Sequence, residues 1–239
     1  MRLNRFLVLS EVIDSRRKAD KLIEHGLIKV DGNVAHLGEK IDPEQSAVYY
    51  GKKRLKIPKR ENEYIAFYKP IGYICSHRKF KGQKSIISIL PEGINWKWAG
   101  RLDKNSEGLI LLSDDGIWIN KVTHPSYQVI KSYSVELDLN LSNTERDKLI
   151  RGVYFKGKRY RAVKLIGKGN NWEIEIITGY KRQIREMFGI LNKEILKLVR
   201  IKHGIVQLGK LKPGGWFKLN KKEINFFLNL DRKSIKYNV

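Results

Sequence analysis

A charged segment without hydrophobic periodicity divides the chain between Gly51 and Glu63. It reads GKKRLKIPKRENE and contains a proline, a composition typical of a linker rather than of a packed helix or strand. The chain has 239 residues, which is enough for two compact domains on either side of such a segment. The sequence therefore predicts a small domain over residues 1–51, a basic linker over 52–63 and a larger domain over 64–239.

The small domain is predicted to contain a well-marked helix followed by a hairpin. Asp14 and Ser15 are helix-capping residue types, and RRKADKLIE then keeps one apolar face until Gly26, where a helix would stop. The segments LIKV and NVA next flank an Asp-Gly pair, which is typical of a tight β-hairpin. The side chains of Arg16, Arg17 and Lys21 are predicted to project from the start of this helix. Such cations suit either phosphate binding or an ordinary solvated face.

The larger domain combines alternating apolar segments with one segment of helical character. Strands separated by helices and loops indicate an α+β domain built on a mixed or antiparallel sheet. The strands are predicted at residues 64–68, 109–112, 132–137 and 172–177, and the helix at residues 182–191.

The formal net charge of +23 indicates a polyanionic partner. Residues 1–60 hold 14 basic and 8 acidic side chains and the remainder holds 34 and 17, so the excess is not one basic tail. Nucleic acid fits this distribution, a solubilising surface would look similar, and charge alone does not separate RNA from DNA. No apolar run approaches the roughly 20 residues of a membrane helix, and we recognise no signal peptide. The single cysteine, Cys75, suits a reducing compartment.

The sequence lacks the motifs of several enzyme classes. It contains no P-loop, no dinucleotide-binding glycine fingerprint and no Gly-x-Ser-x-Gly elbow. The five histidines are scattered, and none stands at the spacing of a metal-ligand pair. We therefore expect neither a cofactor nor a metal.

One glycine-bounded segment stands out. GRLDKNSEG places a carboxylate, Asp103, in a loop that leads directly into the apolar run LILLS. A buried strand is a rigid element on which to mount a reactive group. On these residues alone, a turn is the simpler interpretation of Asp103 and catalysis is the alternative.

Four further segments occur around it in a fixed order: YKPIG, KSYSV, GYKRQIREM and LVRIKHG, which begin at residues 68, 131, 179 and 198. With these motifs the chain resembles the bacterial ribosomal pseudouridine synthases of the RsuA type. Residues 2–33 resemble the S4 RNA-binding domain of that family, and GRLDKNSEGLILLSDDG resembles the motif that carries its catalytic aspartate. Within the family, the segment DKNSEGLI looks most similar to the large-subunit branch called pseudouridine synthase F.

The resemblance implies a cofactor-free isomerisation in which the N1–C1′ bond of a uridine breaks and the base reattaches through C5. Asp103 matches the carboxylate that either attacks C1′ or assists removal of the 2′ proton, and the sequence leaves both open. Arg185 matches a basic residue that pairs with this aspartate, and Tyr133 one that lies against the target base. Without the family resemblance, Arg185 would be interpreted as a surface arginine and Tyr133 as an aromatic residue of the core. Lys69 and Leu198 resemble residues that shape the pocket.

RNA contacts are predicted beside this site, where Arg101, Lys104 and Arg182 would meet the phosphates of a flipped nucleotide. Two positions depart from the family pattern. Glu186 stands where many relatives have a second arginine after Gln-Ile-Arg, and Phe217 follows Trp216 where an arginine is common.

The sequence thus predicts a monomeric, cytoplasmic RNA pseudouridine synthase. Ribosomal RNA is the expected substrate, with 23S favoured over 16S, and a tRNA is the alternative. A non-catalytic S4-containing RNA-binding protein acting in ribosome assembly is a second possible function. A DNA-binding protein is a third, although no recognition-helix pairing supports it.

Overall fold

The structure is a computed structural model that describes residues 1–58, 61–78 and 80–232. Contacts divide the chain into two units, residues 1–61 and residues 62–239. Lys59 and Arg60 of the predicted linker, Lys79, and residues 233–239 of the predicted larger domain lie outside the described residues. Within the described part of the chain, no helix has the length and apolar character needed to cross a membrane.

The first unit is built from two helices and a four-stranded antiparallel sheet that share one hydrophobic core. The predicted helix is confirmed, because the Ser15 hydroxyl accepts a hydrogen bond from the Lys18 N–H at its start and Gly26 follows its end with a φ of +66°. The elements are α1 (Leu3–Leu9), α2 (Arg16–Glu24), β1 (Ile28–Val30), β2 (Asn33–Val34), β3 (Val48–Tyr50) and β4 (Lys53–Arg54), and the strand order is β2-β1-β3-β4.

The first part of the predicted linker belongs to this unit. Strand β4 pairs with β3, and Leu55 is buried in the core beside it. A strand of two exposed basic residues followed by a single buried leucine is too short to produce a detectable period. The sequence pattern therefore placed the end of the small domain too early.

The second unit contains four α-helices and thirteen strands among the described residues. The helices are α3 (Gly116–Thr123), α4 (Asn143–Arg151), α5 (Gln183–Gly189) and α6 (Lys221–Leu228), with short 3₁₀ helices at Ile86–Ile89 and Pro125–Tyr127. The strands are β5 (Tyr64–Lys69), β6 (Tyr73–Ile74), β7 (Lys84–Ser85), β8 (Lys97–Trp98), β9 (Glu107–Ser113), β10 (Lys131–Leu137), β11 (Val153–Phe155), β12 (Lys158–Tyr160), β13 (Lys164–Lys168), β14 (Asn171–Ile176), β15 (Ile195–His203), β16 (Val206–Gln207) and β17 (Trp216–Lys218).

The main sheet of this unit has the strand order β13-β14-β10-β15-β9-β5-β17. Strands β15 and β9 run parallel and the other neighbours along this order run antiparallel, so the predicted mixed sheet is confirmed. Helices cover both faces. Ile110 and Leu112 of β9 pack into the cluster that includes α4 and α5, whereas Leu109 and Leu111 pack into the cluster with α3 and α6. A strand buried on both faces reads as a continuous apolar run.

Candidate active site

Asp103 lies in the loop of residues 101–106, here called the Asp103 loop, which connects β8 to β9. The Asp103 side chain is half-buried. The backbone carbonyl of Asp103 accepts a hydrogen bond from the Ser106 N–H at 3.1 Å. Ser106 is buried and is followed at once by the first residue of β9. The carboxylate is therefore carried by a tight turn immediately before an interior strand of the sheet.

Each of the next three carbonyls in the Asp103 loop accepts a hydrogen bond from a different part of the unit. The Lys104 carbonyl accepts from the Gly72 N–H at 2.8 Å. The Asn105 carbonyl accepts from Arg185 Nη2 at 2.7 Å, and the Ser106 carbonyl accepts from Lys69 Nζ at 2.6 Å. Backbone groups that are all satisfied in this way fix the loop in one conformation before any ligand arrives.

Lys69, the last residue of β5, holds the Asp103 loop through its hydrogen bond to the Ser106 carbonyl. Its side chain is completely buried, and Nζ also donates to the Pro70 carbonyl at 2.9 Å. Burial lowers its pKa to about 8, while the charges of Cys75, Glu107 and Asp103 oppose that decrease. Both hydrogen bonds of Lys69 Nζ thus go to backbone carbonyls, and one of these belongs to the Asp103 loop.

Gly108 allows β9 and β15 to come together immediately after the Asp103 loop. It pairs with Arg200 at a φ of +109°, and a Cβ at this position would lie 2.4 Å from the Arg200 carbonyl oxygen. Arg200 is 1% exposed and donates from Nε to the Leu109 carbonyl. Arg200 was not among the predicted site residues, because the sequence gives no sign of how deeply a charged side chain of a β-strand is buried.

Tyr133 lies in the middle of β10, between Ile174 of β14 and Arg200 of β15. The register between β10 and β15 shifts just before Tyr133, and such irregularities re-aim side chains. The tyrosine is 7% exposed and belongs to the same core cluster as Leu102, the neighbour of Asp103. The sheet thus brings Tyr133 into the core cluster that supports the Asp103 loop.

Arg185 lies on the first turn of α5, and its guanidinium donates to two carbonyls, those of Asn105 and Ile195. The resemblance implied that Arg185 pairs with Asp103, but the described residues contain no ion pair between them, and the hydrogen bonds of the guanidinium go to backbone oxygens. Burial and the charge of Arg182 lower the pKa of Arg185, whereas Asp103 and Glu194 raise it. Asp103 therefore acts on Arg185 as a nearby charge.

The geometry can be compared with known proteins. A family model described as RNA pseudouridylate synthase matches residues 63–189, and an S4 domain model matches residues 1–46. The chain belongs to the RNA pseudouridylate synthase family. It is an RNA pseudouridine synthase, an isomerase, with an S4 domain ahead of the synthase domain.

Relatives of this synthase support the assignment over most of its length. A protein of Aquifex aeolicus named as an uncharacterized RNA pseudouridine synthase is 35% identical over 94% of this chain and 92% of its own length. The ribosomal large subunit pseudouridine synthase B of Vibrio vulnificus is 30% identical over 90% of this chain and 71% of its own. A crystal structure of a pseudouridylate synthase superposes with a TM-score of 0.69 at 28% identity, covering 95% and 99% of the two chains. The RsuA-type resemblance is thus confirmed, and assignment to the F branch is not.

The cations predicted to meet RNA occur in both units of the synthase. Arg101 and Lys104 are exposed on the Asp103 loop, and Arg182 is exposed just before α5 at a left-handed φ of 55°. In the first unit, the exposed side chains of Arg16, Arg17 and Lys21 lie on α2. All six predicted RNA-binding residues are therefore available to solvent.

Glu186 has a structural partner at the position where the sequence departs from the family pattern. Burial and the nearby Glu186 carboxylate raise the pKa of Tyr160 in β12. Phe217, the second departure, lies in β17 opposite Ala66 of β5 and is half-buried against the sheet. Both residues thus have packing roles outside the Asp103 loop.

Proposed function

We propose that this synthase isomerises one uridine of ribosomal RNA, with 23S favoured over 16S, and that Asp103 carries the chemistry. The N1–C1′ bond breaks, the base turns and a C5–C1′ bond forms, while C5 loses a proton and N1 gains one. Asp103 serves either as the nucleophile at C1′ or as the base for the 2′ proton. The observation that carries the proposal is the fixed Asp103 loop, whose successive carbonyls are held by Gly72, Arg185 and Lys69.

Arg185 and Tyr133 complete the proposed site. The Arg185 guanidinium holds the backbone two residues beyond Asp103, and the Asp103 carboxylate acts on it as a nearby charge. Tyr133 offers an aromatic plane to a uracil that has left its stack, and such a plane replaces part of the lost stacking energy. The predicted contacts of Arg101, Lys104 and Arg182 would hold the flanking phosphates.

We further propose that the S4 domain anchors the substrate through Arg16, Arg17 and Lys21. Arg16 and Arg17 begin α2, where backbone N–H groups and the helix dipole add to their attraction for phosphate, and Lys21 adds a cation in the last turn. The synthase would act as a monomer in the cytoplasm, where ribosomal RNA is found. The ribosomal RNA assignment is supported by the names of relatives such as the Vibrio vulnificus enzyme.

Mapping pseudouridines in total RNA tests this function. Carbodiimide modification and reverse transcription would compare cells with and without the gene. We expect one site in 23S RNA to disappear and to return with the wild-type gene but not with Asp103→Asn. If the lost site lies in a tRNA, the substrate is a tRNA rather than ribosomal RNA. If no site is lost, the protein is better described as a non-catalytic RNA-binding protein.

The variant Asp103→Asn should bind the mapped RNA with an affinity close to that of the wild type. A matched control is Asp147→Asn, which removes a carboxylate that pairs with Arg146 on α4 at 2.8 Å. This surface pair contributes little to stability, so the control should retain full turnover. Appreciable turnover by Asp103→Asn would remove Asp103 from the proposed role.

A further inference from the structure

A polar groove of about 380 Å³ opens beside Arg185. It lies between the start of α5, the segment that follows α5 and the chain just beyond β10. Arg182 and Arg185 belong to the motif GYKRQIREM, whereas Asp138 and Glu194 belong to none of the family motifs. The lining side chains that matter here are Asp138, Arg182, Arg185, Asn192, Glu194 and Ile195.

The walls of this groove are fixed by three hydrogen bonds, each of which involves at least one backbone group. The Asp138 N–H donates to the Glu194 carbonyl at 3.0 Å, and the Glu194 N–H donates to Asp138 Oδ1 at 2.8 Å. Arg185 Nη1 donates to the Ile195 carbonyl at 3.1 Å. A concave surface held in this way is preformed for a ligand.

The groove and the Asp103 loop share one guanidinium. Arg185 lines the groove while its Nη2 holds the Asn105 carbonyl, and the carboxylates of Asp103 and Glu194 both raise its pKa. Its Nε atom is buried and has no hydrogen-bond partner among the described residues. A ligand in the groove would therefore lie next to the nucleotide that Asp103 acts on.

The charges of the lining indicate a nucleotide rather than a bare phosphate. The lining contains Arg182, Arg185 and Lys193, which suit a phosphate, but it also contains Asp138 and Glu194, which would repel one. Carboxylates instead accept N–H groups from base edges, as they do from the amino group of cytosine. Uracil fits less well, because its single ring N–H is flanked by two carbonyl oxygens.

We propose that this groove binds a nucleotide next to the target uridine and selects a base with an exocyclic amino group, which is cytosine, adenine or guanine. Arg182 contacts the phosphate, and Glu194 and Asp138 accept hydrogen bonds from the base. The inference rests on the proposed function and adds a sequence preference that the Asp103 site does not require.

A pool of RNA hairpins tests this inference. The pool is built on an RNA fragment that the wild-type chain is first shown to convert, with four positions on each side of the uridine randomised. The full chain is compared with Glu194→Gln, Asp138→Asn and the matched control Glu173→Gln, an exposed glutamate on β14 outside the groove. Sequencing gives the converted fraction for each base at each position.

We expect the wild type to prefer an amino-bearing base over uracil at one position by about tenfold. Glu194→Gln should reduce that preference to below about twofold, Asp138→Asn should reduce it as well, and Glu173→Gln should leave it unchanged. Asp138→Asn keeps an oxygen for the Glu194 N–H, so its groove is expected to remain folded.

Two outcomes would overturn the inference while leaving the proposed function intact. One is conversion by the wild type with no preference at any position, and the other is a preference that both groove variants retain or that Glu173→Gln also removes. Failure to convert any RNA fragment would be a different result, because the proposed function would then fall and the groove inference with it.

Discussion

The Nη2 atom of Arg185 lies 2.7 Å from the carbonyl oxygen of Asn105, although the two residues are 80 positions apart in the chain. Asn105 is two residues beyond Asp103, so the arginine holds the backbone that carries the carboxylate. Its other Nη atom holds the Ile195 carbonyl at the start of β15. One planar guanidinium therefore joins the Asp103 loop to the neighbouring strand, a geometry that a lysine cannot reproduce.

Replacing Arg185 should affect turnover more than RNA affinity. We expect Arg185→Ala to lower kcat about 100-fold, because the Asp103 loop loses an anchor and small displacements of reacting groups have large kinetic costs. Arg185→Lys should recover only part of the loss, since a single Nζ atom cannot occupy the two separate positions of Nη1 and Nη2. Single-turnover kinetics and RNA titration would separate the two effects, and an equal loss of affinity would instead make Arg185 a binding residue.

Gly108 should not tolerate a side chain. We expect Gly108→Ala to lower the free energy of unfolding by about 2–4 kcal/mol, because its φ is +109° and the new Cβ would collide with the Arg200 carbonyl at 2.4 Å. Two control substitutions separate strain from collision. Gly157 has a φ of +73° with open space around it, so Gly157→Ala should lower the free energy of unfolding by about 1 kcal/mol. Gly116 lies at the start of α3 with open space around it, so Gly116→Ala should change the free energy of unfolding by less than about 0.5 kcal/mol.

Urea unfolding of the three glycine variants would measure these differences. The expected order of loss is Gly108, then Gly157, then Gly116. A cost for Gly108→Ala no larger than that for Gly157→Ala would mean that β9 and β15 can move apart.

The buried Lys131 should make stability depend on pH. Burial, with a smaller effect of Arg200, lowers its pKa from 10.5 to about 8, so between these values the unfolded chain binds more protons than the folded one. The stability contribution of Lys131 therefore rises as the pH increases from about 8 to 10.5. In urea unfolding, we expect the free energy of unfolding of the wild type, measured relative to Lys131→Met, to increase by about 1–3 kcal/mol over this pH range. A difference that does not change with pH would show that Lys131 is not desolvated.

The cations of α2 should control affinity without changing chemistry. We expect the triple variant Arg16→Gln, Arg17→Gln, Lys21→Gln to weaken RNA binding and to reduce the salt slope of log K by up to about three, with kcat at saturating RNA unchanged. A charge-matched control replaces three exposed lysines of the same unit by glutamine, namely Lys40, Lys52 and Lys56. Equal losses in both triple variants would show a diffuse electrostatic effect rather than binding by α2.

Local patterns determined the helix α2, the following hairpin and the central strands of the second unit. Ser15, Gly26 and the Asp-Gly turn each act on their immediate neighbours, so their effects can be recognised in the sequence. The apolar run after Asp103 is also local, because a strand covered on both faces must be apolar throughout. The order of five motifs was sufficient to indicate the family that the comparisons establish.

Tertiary structure alone decided how the Asp103 loop is held. The burial of Lys69 and Arg200, the contact of Arg185 with Asn105 and the exclusion of any side chain at Gly108 all depend on residues far apart in the chain. The sequence identified Arg185 as a partner of the Asp103 carboxylate, whereas its hydrogen bonds go to backbone carbonyls. A hydrogen bond to a carbonyl leaves no trace in residue identity, because every residue carries that acceptor, so only the folded sheet could show which carbonyls the arginine reaches.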